Sequence, residues 1–144
     1  MFKNYFLSLL VILFISCDNG IYKNGMVVSA KHEASKVGID ILKKGGNAFD
    51  AMVATDLALA VVYPNAGNLG GGGFMVYRLS DGKNGSLDFR EKAPINSRSD
   101  MYLDLNNDVI KGLSQNGALA IGVPGTIAGL FEIHKKFGSL PIKE

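Results

Sequence analysis

The sequence has no tryptophan, a single cysteine and only four prolines among its 144 residues. One cysteine excludes an intramolecular disulfide and any cysteine-rich zinc site. With 15 Lys+Arg against 13 Asp+Glu the formal charge is only +2, and no run of basic residues marks a patch. Nucleic acid is therefore not an expected partner, since phosphate binding needs concentrated positive charge. The two histidines, His32 and His134, lie far apart and lack a ligand-spaced companion. Packing or solvated roles are expected for them, not metal binding or acid–base work, and no cofactor site is expected. A hydrophobic share of 47% against 19% charged residues excludes a disordered chain.

What is abundant is glycine: 18 of 144 residues, nearly twice the ordinary share of about 7 per cent. Much of it is clustered, as in Gly70-Gly71-Gly72-Gly73.

The first residues read as an address. Met1-Phe2-Lys3-Asn4 is a short basic start, and Tyr5 to Ile15 is an apolar run. That run falls short of the roughly 20 apolar residues of a membrane span and fits a secretory signal instead. Leu13-Phe14-Ile15-Ser16-Cys17 resembles a bacterial lipoprotein signal, in which the cysteine is lipidated and becomes the new N-terminus. The organisation expected is a signal peptide over 1–16, Cys17 as the lipidated first mature residue, a linker over 17–24 and a folded body over 25–144. The chain is then exported to the periplasm or cell envelope and anchored by lipid to a bacterial membrane. An ordinary signal peptide with an incidental cysteine is the alternative.

From Asn24 onward strand and helix signals alternate. Met26 to Ala30 is a short β-leaning run. Over residues 32 to 44, Ala34, Val37, Gly38, Ile41 and Leu42 repeat at helical spacing and form one apolar stripe. Lys43-Lys44 suits the negative end of a helix, and Gly45-Gly46 supplies a left-handed stop. Asn47 is placed to cap a second helix, with Asp50 in its first turn. That helix, Ala48 to about Val62, is apolar nearly all round, so it is expected to be buried on most sides as the central helix of a layered domain. Asp50 and Asp56 argue against its crossing a membrane.

The glycine cluster lies between this helix and a strand starting at Phe74. Phosphate loops run the other way, from strand to helix, so nucleotide binding is not expected. Close approach of another backbone or of a ligand, with positive φ angles, is the physical reason for the glycines. Asp81-Gly82-Lys83-Asn84-Gly85 is turn chemistry, and predicts a hairpin of Gly73 to Leu79 with Ser86 to Glu91. On its second strand Leu87, Phe89 and Glu91 share one face, and Ser86, Asp88 and Arg90 the other. A polar stretch over 97–117 includes a helical turn near Asp100 to Asp104. Ala118 to Val123 reads as a strand, and Pro124 opens a last helix that runs to Phe137 and stops at Gly138.

Four segments now carry a resemblance. They are Gly38 to Ala51 (GIDILKKGGNAFDA), Gly70 to Met75 (GGGGFM), Leu87 to Pro94 (LDFREKAP) and Val123 to Leu130 (VPGTIAGL). In order and spacing they resemble the N-terminal part of γ-glutamyltransferases (γ-glutamyl transpeptidases, or glutathione hydrolases), over essentially the whole body of the chain. The resemblance implies an α+β fold, part of the αββα sandwich of N-terminal-nucleophile hydrolases, incomplete at the C-terminal side. It implies a precursor that cleaves itself into a large and a small subunit. The new N-terminal Thr of the small subunit attacks the γ-glutamyl amide, and water or an acceptor amino acid then takes the acyl group. No residue of the 144 corresponds to that Thr, so the chain is expected to end within the large subunit and to be inactive alone. The expected partners are γ-glutamyl compounds such as glutathione, the remainder of the protein, and a membrane reached through the lipid.

One functional residue carries over: Arg90 of the Phe-Arg-Glu segment is implied to bind the α-carboxylate of the γ-glutamyl group. Guanidinium offers a planar fork that matches a carboxylate. The structural alternative is that Arg90 pairs with Asp88 or with a more distant acid. Asp50 is expected to cap its helix and Glu91 to brace the Arg90 strand. Two positions depart from the family: Asp56, usually small and apolar there, and Lys92, often Thr or Met. Asp56 in a buried helix needs a partner or partial exposure, or else it weakens the fold. A related amide acylase, or an inactive membrane-anchored lipoprotein remnant of the fold, are the other functional readings.

Overall fold

The computed structural model describes residues 24–66 and 69–143. Cys17 and the expected signal and linker boundaries lie outside the described residues, apart from Asn24.

Helix α1 (His32–Lys43) ends as its glycines require. Gly45, at φ +92°, donates its N–H to the Leu42 carbonyl, and Gly46 donates to Ile41, both at 3.1 Å. These are the two hydrogen bonds of a Schellman stop. Helix α2 (Ala48–Val62) begins after four intervening residues with a complete capping box. The Asn47 side chain accepts the N–H groups of Phe49 and Asp50, and the Asp50 carboxylate accepts the Asn47 N–H at 2.8 Å. The two helices cross closely because Gly38 faces Thr55 and Ala51, where a methyl group has no room.

Strands β1 (Phe74–Arg78) and β2 (Asn84–Asp88) form an antiparallel hairpin with Arg78 opposite Asn84 and Phe74 opposite Asp88. β2 starts and ends earlier than the sequence suggests. Leu79 N–H bonds the Lys83 carbonyl at 2.7 Å, which closes the turn within residues 79–83 around Gly82 at φ +87°. The last helix, α3 (Thr126–Phe137), follows a single 3₁₀ turn, Ala118–Ala120. Helix α2 packs against α1 on one side and α3 on another. The core between α2, α3 and the hairpin holds Val53, Met75, Leu130 and Ile133, bordered by Phe49, Tyr77, Leu87, Phe89 and Phe137. Phe49 and Phe137 stack at 4.6 Å between ring centroids, with Tyr77 tilted 4.8 Å from Phe137.

Four expectations are corrected. Met26 to Ala30 forms no strand, since it runs over the α1/α2 crossing with no neighbouring strand to pair with among the described residues. Ala118 to Val123 is likewise no strand: its first half is the 3₁₀ turn, and only Val123 pairs, in a single bridge to Lys92. The stretch from Asp100 to Asp104 is a pair of tight turns leading to a bridge between Leu103 and Val109. Finally, the described residues alone do not bury α2 on most sides. Asp50, Ala51, Val53 and Thr55 are buried, but Leu57, Val61 and Val62 face outward, because α1 and α3 cover only its first half. The outer face of the hairpin is also bare, with Phe74 65% and Val76 85% exposed. The observed class is α+β, with three helices and one two-stranded sheet among the described residues. None of these helices is long and apolar enough to cross a membrane.

Candidate functional site

The glycine cluster, the Phe89 to Lys92 segment and the start of α3 are distant in sequence and meet in space. Beyond the hairpin, Gly73 and Phe89 exchange backbone hydrogen bonds, Phe89 N–H to Gly73 carbonyl at 3.0 Å and the reverse at 3.4 Å. The Gly71 carbonyl accepts the N–H groups of Gly125 and Thr126, at 2.8 and 3.2 Å. Lys92 and Val123 also exchange a pair, at 3.1 and 2.7 Å. Three loops are thus bound to one another through main-chain atoms alone.

This convergence accounts for the glycines. None of Gly71, Gly72 and Gly73 lies in the left-handed region, so the expected positive φ angles are absent. What Gly72 and Gly73 share is crowding. A side chain on Gly72 would run into the backbone of Arg90 and Glu91, and one on Gly73 into the Phe89 ring. Gly125 lies against the Phe89 carbonyl and Gly129 against the Phe89 side chain, again with no space for a methyl group. Close approach, not conformational freedom, is the requirement. The Gly71 carbonyl also takes up two of the N–H groups at the start of α3, those of Gly125 and Thr126, where a helix would hold a phosphate.

Arg90 leaves this junction at the end of the hairpin. Its backbone N–H donates to Asp88 Oδ1 at 2.9 Å, so Asp88 engages the main chain of Arg90 and not its guanidinium. The side chain is 67% exposed, and its one ionic approach among the described residues is to Glu91, 3.9 Å from Nε. Such an exposed, long contact holds an arginine weakly. Glu91 is exposed rather than set in a strand, and its methylenes lie against Gly122. Arg90 lines a groove of about 420 Å³ bounded by Phe89, Lys92, Pro124, Gly125 and Glu132.

Asp50 caps α2 as expected, and it also does more. Its carboxylate accepts the Ser139 hydroxyl at 2.6 Å and the Ser139 N–H at 3.1 Å, and His134 Nε2 stands 3.8 Å away. Burial works to raise its pKa, but the Ser139 hydroxyl and the N–H groups of Asn47, Ser139 and Leu140 outweigh it and hold the group below the ordinary range. His134 Nε2 donates to the Leu140 carbonyl at 2.8 Å, a packing role, and His32 is exposed. Asp56 is half-buried, has no hydrogen-bond or ion-pair partner among the described residues, and has its pKa raised by burial. No group of three or more potential metal ligands occurs among the described residues. The Gly129–Phe89 and Ser139–Asp50 contacts were not foreseeable from spacing, because each joins segments far apart in the chain.

Comparison with known proteins gives a consistent answer. A family model described as gamma-glutamyltranspeptidase matches residues 34–144. A glutathione hydrolase proenzyme of Pseudomonas sp. (strain A14) is 59% identical over 117 residues, covering 81% of this chain and 20% of the relative. The crystal structure of Helicobacter pylori γ-glutamyltranspeptidase aligns with a TM-score of 0.80 and 51% identity, over 82% of this chain and 34% of that one. The enzyme from Pseudomonas nitroreducens, complexed with L-DON, aligns at 0.79 and 52%, over 82% and 35%. The chain thus spans about a fifth of the length of the curated relatives it matches. With the family model covering most of its length and the same backbone found in two solved members, the chain belongs to the γ-glutamyltranspeptidase family.

Proposed function

We propose that this segment is part of the large subunit of a γ-glutamyltransferase, or glutathione hydrolase, and supplies the receptor for the α-carboxylate of the γ-glutamyl group. The observation that carries this reading is the position of Arg90. Its guanidinium stands at the edge of a groove, beside the glycine junction that fixes its backbone, with a loose contact to Glu91 as its one ionic approach among the described residues. Such a guanidinium can turn both N–H donors toward one carboxylate, which a lysine cannot do.

In the reaction proposed, a threonine at the N-terminus of the small subunit attacks the γ-carbonyl carbon. Its own α-amino group, with a pKa of about 8, takes the hydroxyl proton. The amide C–N bond breaks, the amine leaves with a proton, and the γ-glutamyl group remains as an ester on threonine. Water hydrolyses that ester, or an acceptor amine captures the group. Arg90 binds the far end of the glutamyl chain and so sets where the γ-carbon lies. The threonine and the rest of the αββα sandwich belong to residues outside the 144. The basic start, apolar run and Cys17 support export and a lipid anchor at the cell envelope.

The test is steady-state kinetics of the full-length enzyme carrying this segment, with γ-glutamyl-p-nitroanilide as substrate. Arg90→Ala is expected to raise KM by an amount equivalent to about 2–5 kcal/mol, as for loss of one partner of a close charge pair. Arg90→Lys should fall between. Unchanged kcat and KM in the alanine variant would remove Arg90 from the site.

A further inference from the structure

The groove beside Arg90 has four charged residues on its lining: Asp88, Arg90, Lys92 and Glu132. Each acid is already engaged. Asp88 accepts the Arg90 N–H at 2.9 Å, and Glu132 holds Lys136 at 3.0 Å. The cations are not matched in the same way. Arg90 has only its 3.9 Å approach to Glu91, and the Lys92 ammonium has no hydrogen-bond or ion-pair partner among the described residues. Asp88 keeps its charge while accepting the neutral Arg90 N–H, so the lining is balanced overall, and the Lys92 ammonium is its one charged group without a hydrogen-bond or ion-pair partner among the described residues.

Their placement is fixed by main-chain bonds. Lys92 is held by its two-way backbone bridge to Val123, and Arg90 by Asp88 and the contact with Gly72. Two residues apart, their Cα atoms are separated by at most about 7 Å. A single carboxylate satisfies the Arg90 fork, which leaves the ammonium for another anion.

We propose that Lys92 is a specificity-determining residue of this site, favouring γ-glutamyl substrates that carry a second carboxylate beyond the γ-amide. The inference rests on the reading of Arg90 as the α-carboxylate receptor. Lys92 takes no part in bond breaking; it adds affinity for one class of leaving group. Because the ammonium is exposed to solvent, its attraction is screened by salt.

The test compares glutathione with its glycine ethyl ester, which differ only in the second carboxylate, on the full-length enzyme. Lys92→Met is expected to raise KM for glutathione about five- to tenfold while leaving KM for the ester unchanged, and to remove the salt dependence of the ratio between them. Lys92→Arg should retain the preference. The same shift for both substrates, or no shift for either, overturns the role of Lys92. Arg90→Ala separates the two readings. If it raises KM for both substrates while Lys92→Met leaves their ratio unaltered, only the Lys92 inference fails. If it changes neither, the Arg90 site itself fails, and Lys92 with it.

Discussion

The carboxylate of Asp50 receives the hydroxyl of Ser139 at 2.6 Å, so that one buried anion closes both the beginning of α2 and the exit from α3. The Asn47 side chain reinforces the link by donating to the Phe137 carbonyl at 2.6 Å. A residue recognisable from local sequence as a helix cap is therefore also a long-range tie.

Replacing that anion should cost more than an ordinary cap. Asp50→Asn is expected to destabilise the fold by about 2–3 kcal/mol, since a cap contributes about 1 and hydrogen bonds to a charged group about 1.5–3. The folded-state pKa lies below the ordinary value of 3.8, so this stability is fully present above that value and is lost as pH falls through the folded one. Urea unfolding at pH 7 and at successively lower pH should show the wild type losing its advantage over the variant in that range.

Asp56 has the opposite sign. Burial raises its pKa above 3.8, so the folded state prefers the protonated acid and stability falls as pH rises through the raised value. Asp56→Ala, which removes the half-buried, unpartnered carboxylate, is expected to stabilise the protein on the order of 1 kcal/mol at pH 7. The gain should shrink toward pH 4. Equal unfolding midpoints for the two proteins at neutral pH would show that the carboxylate is already compensated.

Gly45 and Gly129 should fail for different reasons. Gly45→Ala meets open space but forces a side chain into φ +92°, at an expected cost of about 1–2 kcal/mol. Gly129→Ala drives a methyl group into the Phe89 side chain, with an expected cost of about 1–3 kcal/mol from overpacking. Phe89→Ala should rescue part of the second loss and none of the first. A double-mutant cycle measures this directly.

Much of the fold was legible because its signals are local. The Gly45-Gly46 stop, the Asn47/Asp50 cap and the turn around Gly82 are written within a few residues of where they act. What failed was pairing. Val27-Val28 and Ile121-Gly122-Val123 have strand composition, but a strand needs a neighbour, and composition does not say whether one is adjacent. The purely apolar pattern of α2 could not indicate how much of its surface α1 and α3 cover. At the site, Arg90 was visible only through the resemblance of Phe89-Arg90-Glu91 to a known segment. Lys92 stood out as a departure from that pattern, with no hint that it shares a groove with Arg90. The glycines were correctly read as marking close approach and wrongly as needing left-handed backbone.

The double acceptance by the Gly71 carbonyl has a mechanical side. By seizing the first amides of α3, it couples the poly-glycine strap to that helix as a single lever, with Phe89 wedged beneath and the guanidinium at its tip. If Arg90 binds the carboxylate as proposed, a substitution on α3 that shifts its first turn should reach the guanidinium through these main-chain bonds.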